Sequence, residues 1–169
     1  MITNLTVKIK SLSQKSYDDF LNHLQYHNLT CSCGISGHFT KHAYYTRTVK
    51  TSDGPIVLRI LRVICRCCGK THALFPVCIV PYSQILLNDH LDILICHNKK
   101  AAYESIMMSN IYIDESNIRY VVKQFLRHWK ERITAFGISL DAHQISCDCL
   151  RTFKRQFMQI KCVPNILSA

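Results

Sequence analysis

The chain has 169 residues, 48% of them hydrophobic, a formal net charge of +10 and a pI near 9.2. That length bounds it to one domain or two small ones able to bury a core, and that hydrophobic content excludes an intrinsically disordered chain. The charge favours a polyanionic partner, nucleic acid above all.

The opening residues, MITNLTVKIKSLSQKS, lack the apolar core of a signal peptide. Apolar runs such as LDILIC at 91–96 are far too short to span a bilayer. A soluble, cytoplasmic protein with no membrane partner is expected. In that reducing compartment its ten cysteines serve as thiols or metal ligands rather than disulfides. Residues 1–30 read as an N-terminal segment with a short helix.

Two cysteine pairs follow, and each ends in Cys-Gly: Cys31-x-Cys33-Gly34 and Cys65-x-x-Cys68-Gly69. In such a turn, backbone N–H groups point at the sulfurs and glycine supplies the positive φ that closes it. Together the pairs can supply four thiolates for one structural Zn²⁺ in tetrahedral geometry. Cys67 lies inside the second pair and could replace Cys65, and His72 and His38 are reserve ligands. Between the pairs, HAYYTRTVK (42–50) and IVLRILRVI (56–64) are rich in β-branched and aromatic residues, and TSDGP (51–55) is a turn sequence. KTHALF (70–75) can supply a third short strand. Residues 31–82 therefore read as a zinc ribbon. They carry seven Lys/Arg against one acid, so the module stays basic with zinc bound. Cys78 and Cys96 sit in apolar runs and read as core.

After residue 83 the hydrophobic period becomes helical. Helices are expected over 84–97 and 99–108, then a connection with Asp114 or Ser116 as N-cap. Over 116–133, Ile118, Val121, Val122, Phe125, Leu126, Trp129 and Ile133 form an apolar stripe. Arg119, Lys123, Arg127 and Lys130 form a basic stripe on another face. A last helix is expected over 144–160, with Leu150, Phe153, Phe157 and Ile160 inward. Short helix, turn and basic amphipathic helix is the order of a helix-turn-helix unit. In such a unit Asn117, Arg119, Tyr120 and Lys123 would meet base edges of double-stranded DNA, and Arg127 and Lys130 its phosphates. The expected architecture is α+β: a small zinc-ribbon β module followed by an all-helical, helix-turn-helix-like region over 83–169.

The chain has only eleven acids, and no HExxH, GxSxG or GxxxxGK[ST] stretch occurs. A two-metal phosphoryl-transfer site needs three convergent carboxylates, usually on strands of a large sheet. The helical reading after residue 83 leaves no place for one. A non-enzyme without catalytic residues is expected.

The pattern CxCG…HxxYxR…LRILRVxCxxCGKTHALxPxxxVPYS, with IDESNIRYVVKQFLRHWK and RQFMQIKCVPNIL, carries a resemblance over roughly 28–167. It resembles an uncharacterised bacterial family of short, transposon-associated proteins, catalogued as a domain of unknown function. The N-terminal part of that family is similar to the zinc ribbons that open many transposases. The resemblance implies a zinc ribbon ligated by Cys31, Cys33, Cys65 and Cys68, followed by a helix-turn-helix. It also implies DNA binding for a mobile element, as a non-catalytic accessory or regulator of transposition. Where many transposase ribbons begin with CxxC, this chain has CxC. Two other functions remain in view. One is an RNA-binding zinc ribbon, with Tyr44 and Tyr45 stacking on unpaired bases. The other is an assembly module that docks a transposase or recombinase.

Overall fold

The computed structural model describes residues 2–4 (backbone), 11–141 and 144–160. The chain is mixed α+β and forms two compact units. Among the described residues, one is built from those up to 48 together with 56–77, the other from 49–55 together with 78–160. Of the motif RQFMQIKCVPNIL, the part after Ile160 lies outside the described residues.

The first unit is a sheet of order β1-β4-β3-β2. Strands β2 (Phe39–Val49), β3 (Ile56–Cys65) and β4 (Thr71–Pro76) run antiparallel, and β1 (Ile2–Asn4) adds in parallel to β4. Helix α1 (Gln14–His23) packs on β3 and starts at a Ser13–Ser16 capping box. The registered β3–β4 pairing covers Arg62↔Ala73 through Ile64↔Thr71. Below it, α1 satisfies β3: Arg59 N–H donates to Gln14 Oε1 at 2.8 Å, and Leu61 N–H donates to the Tyr17 hydroxyl at 2.9 Å. That hydroxyl donates in turn to Leu74 C=O at 3.1 Å. Tyr17 is wholly buried, so one side chain bridges two strands where they part. Burial along β3 changes face at the same place. Leu58 and Ile60 are buried below it, and Leu61, Val63 and Cys65 above. Simple alternation would have kept one parity inward throughout.

The second unit is helical: α2 (Leu87–Asn98), α3 (Glu104–Ser109), α4 (Glu115–His128), α5 (Lys130–Ala135) and α6 (Ile145–Phe153). Three helices differ from expectation. The second begins only at Glu104, because Lys100 turns the chain at φ +54° after α2. The helix expected over 116–133 breaks at Trp129 (φ −125°, ψ −32°) and restarts at Lys130. There the indole is driven inward, 5.9 Å from Phe153 and 5.3 Å from Phe157 between ring centroids. The last helix stops at Phe153, where Lys154 adopts a left-handed φ of +53°. Phe157 is still buried, as its hydrophobicity requires, but on an irregular segment held by Gln156 Nε2–H donating to Ile79 C=O at 2.9 Å. Cys96 is buried and Cys78 half-buried. Among the described residues no helix is long and apolar enough to cross a membrane.

Candidate metal centre and basic helix

The two Cys-Gly segments fold into matching turns. In the first, Cys31 N–H donates to Ile35 C=O and Gly34 N–H to Cys31 C=O, both at 2.9 Å. In the second, Cys65 N–H donates to Lys70 C=O and Gly69 N–H to Cys65 C=O, again both at 2.9 Å. Gly34 (φ +89°) and Gly69 (φ +69°) supply the left-handed backbone that each turn needs. The turns are tied together by Arg66 N–H donating to His38 C=O at 2.8 Å.

This brings Cys31, Cys33, Cys65 and Cys68 together, with their sulfurs all within 4.8 Å of one another. The Cys31–Cys68 distance is 3.5 Å and the Cys33–Cys65 distance 3.9 Å. A tetrahedral centre with metal–sulfur bonds of about 2.3 Å spaces its sulfurs about 3.8 Å apart. The four cysteines could therefore hold a metal ion. Each turn contributes one buried cysteine, Cys31 and Cys65, and one exposed, Cys33 and Cys68.

Backbone amides favour ionised sulfur here. The N–H of Ile35 bonds the Cys33 sulfur and pulls its pKa down. The N–H of Lys70 bonds Cys68 in the same way, yet desolvation and the three neighbouring sulfurs outweigh it and push that thiol up to about 12. Four thiols this close cannot all lose protons without a cation among them. Cys67 is exposed and stands outside the set, its pKa raised by desolvation and by Cys33 and Cys65. His38 has an exposed side chain. His72 is buried beside the cluster, its Nε2 3.2 Å from the Cys31 sulfur and its ring edge-on to Phe39 at 5.6 Å. An N–H donated from Nε2 would orient Cys31 and offset its charge, a role spacing alone could not reveal.

In the second unit, α4 starts at a capping box in which Asp114 accepts from Asn117 N–H at 2.9 Å. Lys50 Nζ donates to Asp114 Oδ2 at 2.8 Å and to Asn117 Oδ1 at 3.0 Å. The Lys50 ammonium, the Ser116 hydroxyl and the Asn117 amide hold the Asp114 carboxyl well below the usual carboxylate range. Asn117 thus has its amide oxygen engaged locally. Tyr120 is half-buried, its hydroxyl 3.4 Å from Tyr82 C=O. Arg119, Lys123 and Arg127 are exposed, and Arg119 pairs with Glu115 at 2.6 Å. Lys130 is exposed on α5, beyond the break. An open groove of about 750 Å³ runs beside the three α4 cations, with Val122, Leu126 and Tyr103 among its lining.

A family model described as "Domain of unknown function (DUF6431)" matches residues 31–119, which is 89 of 169 residues and so more than half of the chain. No curated protein and no solved structure matches.

Proposed function

The chain belongs to the DUF6431 family, and for it we propose a zinc-dependent, non-catalytic DNA-binding protein that serves a mobile element as accessory or regulator of transposition. The observation that carries this reading is the exposed row of Arg119, Lys123 and Arg127, one turn apart on α4 in a chain of net charge +10. The short α3, the residues 110–114 and α4 follow one another as a helix-turn-helix does, and α4 is the reader. Arg119 and Lys123 meet base edges, with Tyr120 and Asn117 at the groove's rim, and Arg127 and Lys130 meet phosphates. Four thiolates in a tetrahedral array suit Zn²⁺, and the ribbon it closes is a structural module. The non-catalytic reading is supported by where acids are spent. Asp114 caps α4, and Asp89 caps α2 while accepting from the Tyr112 hydroxyl at 2.8 Å. The mobile-element link rests on the sequence resemblance, and the cytoplasmic location on the need to keep these thiols reduced.

Selection from a randomised duplex pool, followed by titration of the recovered site at several salt concentrations, tests the reading. Affinity should fall with a log–log slope of roughly −0.9 per phosphate contact. A pool that yields no preferred site, or binding indifferent to salt, overturns it. The groove beside α4 favours one second reading, an assembly module docking a transposase or recombinase, since Leu126 is 44% exposed there. Co-purification of such an enzyme without nucleic acid, lost on Leu126→Asp, would select that reading.

A further inference from the structure

We propose that the sheet carries a second nucleic-acid surface: the face bearing Lys41, Tyr45, Arg47 and Arg62 takes an unpaired stretch of DNA. The proposal rests on the DNA reading of α4 and adds a site in the other unit.

Two contacts place these residues on one face. Arg62 stands opposite Ala73, and Phe75, two residues further along β4, shares that side. The Arg62 guanidinium lies 4.6 Å from the Tyr45 ring centroid, and the Arg47 guanidinium 5.2 Å from that of Phe75. Lys41 joins them by alternation along β2. The opposite side of this half of the sheet is core, because Leu61 and Val63 are 0% exposed and Leu74 1%. Around Arg62 the cationic face is the solvent side, with Lys41 and Arg62 exposed and Tyr45 half-exposed, whereas toward Arg47, itself half-exposed, the same side is closed at Leu58, Ile60 and Phe75, each at most 1% exposed. Between them stand Ala43 and Ala73, whose single methyls leave the sheet shallow enough for a flat ring to approach.

The chemistry selects the occupant. A guanidinium stacked on a phenol ring is a planar, cationic platform, and a nucleobase can stack on either plane. Duplex DNA hides its base faces inside its own stack, so only unpaired bases can use such a platform. Lys41 and Arg62 then neutralise phosphates, and Arg47 holds the neighbouring end of the face over Phe75. The only acid across 31–82 is Asp53, which lies in the β2–β3 turn rather than on this face. Tyr44, expected to act with Tyr45, points to the other side of β2 and stacks with Arg59 at 5.1 Å. Consecutive strand residues face opposite ways, so the two tyrosines cannot line one track, and only Tyr45 shares its face with three cations.

Fluorescence anisotropy with a labelled oligothymidine of about twelve nucleotides tests this, at low salt and on metal-loaded full-length protein. Wild type should bind. Tyr45→Ala should weaken binding roughly 5- to 150-fold, the range for losing one stacked base, and Tyr45→Phe should retain it. Lys41→Glu, at an exposed position, should weaken binding and lower the salt slope by about one contact. The assignment is overturned if Tyr45→Ala and Lys41→Glu, with wild-type metal content and circular dichroism, bind as wild type does. It is also overturned if wild type ignores oligothymidine, or binds oligouridine more tightly. Failure of the α4 reading shows separately, as absent duplex binding.

Discussion

Replacing Cys31 by serine separates a metal ligand from a bystander thiol, because Cys67→Ser, a few residues from the same sulfurs, is the matched control. Cys31 is 3% exposed, its sulfur 3.5 Å from Cys68 and 3.2 Å from His72 Nε2. Structural zinc in small modules binds with an apparent free energy of about 10–16 kcal/mol at neutral pH. Shared among four thiolates, one ligand accounts for about 2.5–4 kcal/mol, or roughly 10²–10³-fold in affinity. Cys31→Ser should therefore lose metal to a chromophoric chelator at a concentration that leaves wild type loaded. Cys67→Ser should hold metal as wild type does, and His72→Ala should fall between, at about 10–100-fold. Elemental analysis of protein purified without chelator should give one zinc per chain. Metal-free wild type, or a Cys67→Ser variant as depleted as Cys31→Ser, would refute the four-cysteine assignment.

Tyr17→Phe removes the hydroxyl that serves Leu61 N–H and Leu74 C=O; each buried group left unpaired costs about 1–3 kcal/mol, so urea denaturation should show a loss of roughly 2–6 kcal/mol, and a loss under 0.5 kcal/mol would contradict the bridge. Asp114→Ala should cost about 1 kcal/mol through the lost cap. Because the folded-state pKa of Asp114 is depressed, its contribution is present above the unfolded value near 3.9 and fades as pH falls below it. Wild type should lose its advantage over Asp114→Ala in that acid window, and a gap unchanged down to pH 2 would refute the Lys50–Asp114 pairing. Arg119→Ala should cost about 1–3 kcal/mol on the selected duplex and flatten discrimination, whereas Lys130→Ala should weaken all duplexes about equally. Equal effects of the two would refute the division into base reader and phosphate contact.

The α+β order was legible because each signal was local. Glycine after cysteine marks a left-handed turn, and IVLRILRVI is a β-branched-rich run that directly follows the turn sequence TSDGP. The CxC spacing looked like a departure and proves harmless in the backbone. The turns differ by one residue between Cys31–Gly34 and Cys65–Gly69, but the amide that bonds the outer sulfur lies two residues beyond it in both, at Ile35 and Lys70. His72 reads from sequence as a reserve ligand or a structural histidine, and its place beside Cys31 is not legible there, since a cross-loop contact at 3.2 Å has no sequence signature. What the pattern misjudged were helix ends set by tertiary packing. Trp129 continues the apolar stripe and still interrupts the helix, and Lys100 and Lys154 take left-handed conformations that their residue type does not announce. Tyr17 falls in the segment read only as holding a short helix, and its bridging of two strands depends on where β3 and β4 diverge.

If α4 is the DNA reader proposed here, the break at Trp129 limits how much duplex it could read. Had the helix run unbroken to Ile133, Lys130 would have prolonged the line of Arg119, Lys123 and Arg127. With α4 ending at His128, the continuous row spans Arg119 to Arg127, eight steps of about 1.5 Å, or about 12 Å. At about 3.4 Å per base pair that is three to four pairs. With Arg119 and Lys123 as the base readers at about 1–3 kcal/mol each, α4 would supply about 2–6 kcal/mol, which reaches only the lower part of the roughly 4–10 kcal/mol by which site-specific binders exceed their own non-specific binding. A protein that reads through α4 therefore gains from a second contact, either another copy on a second half-site or a separate surface on the same chain. The proposed Tyr45–Arg62 face would supply the latter in the form suited to DNA being opened, because a stacking platform would engage bases only once they are unpaired.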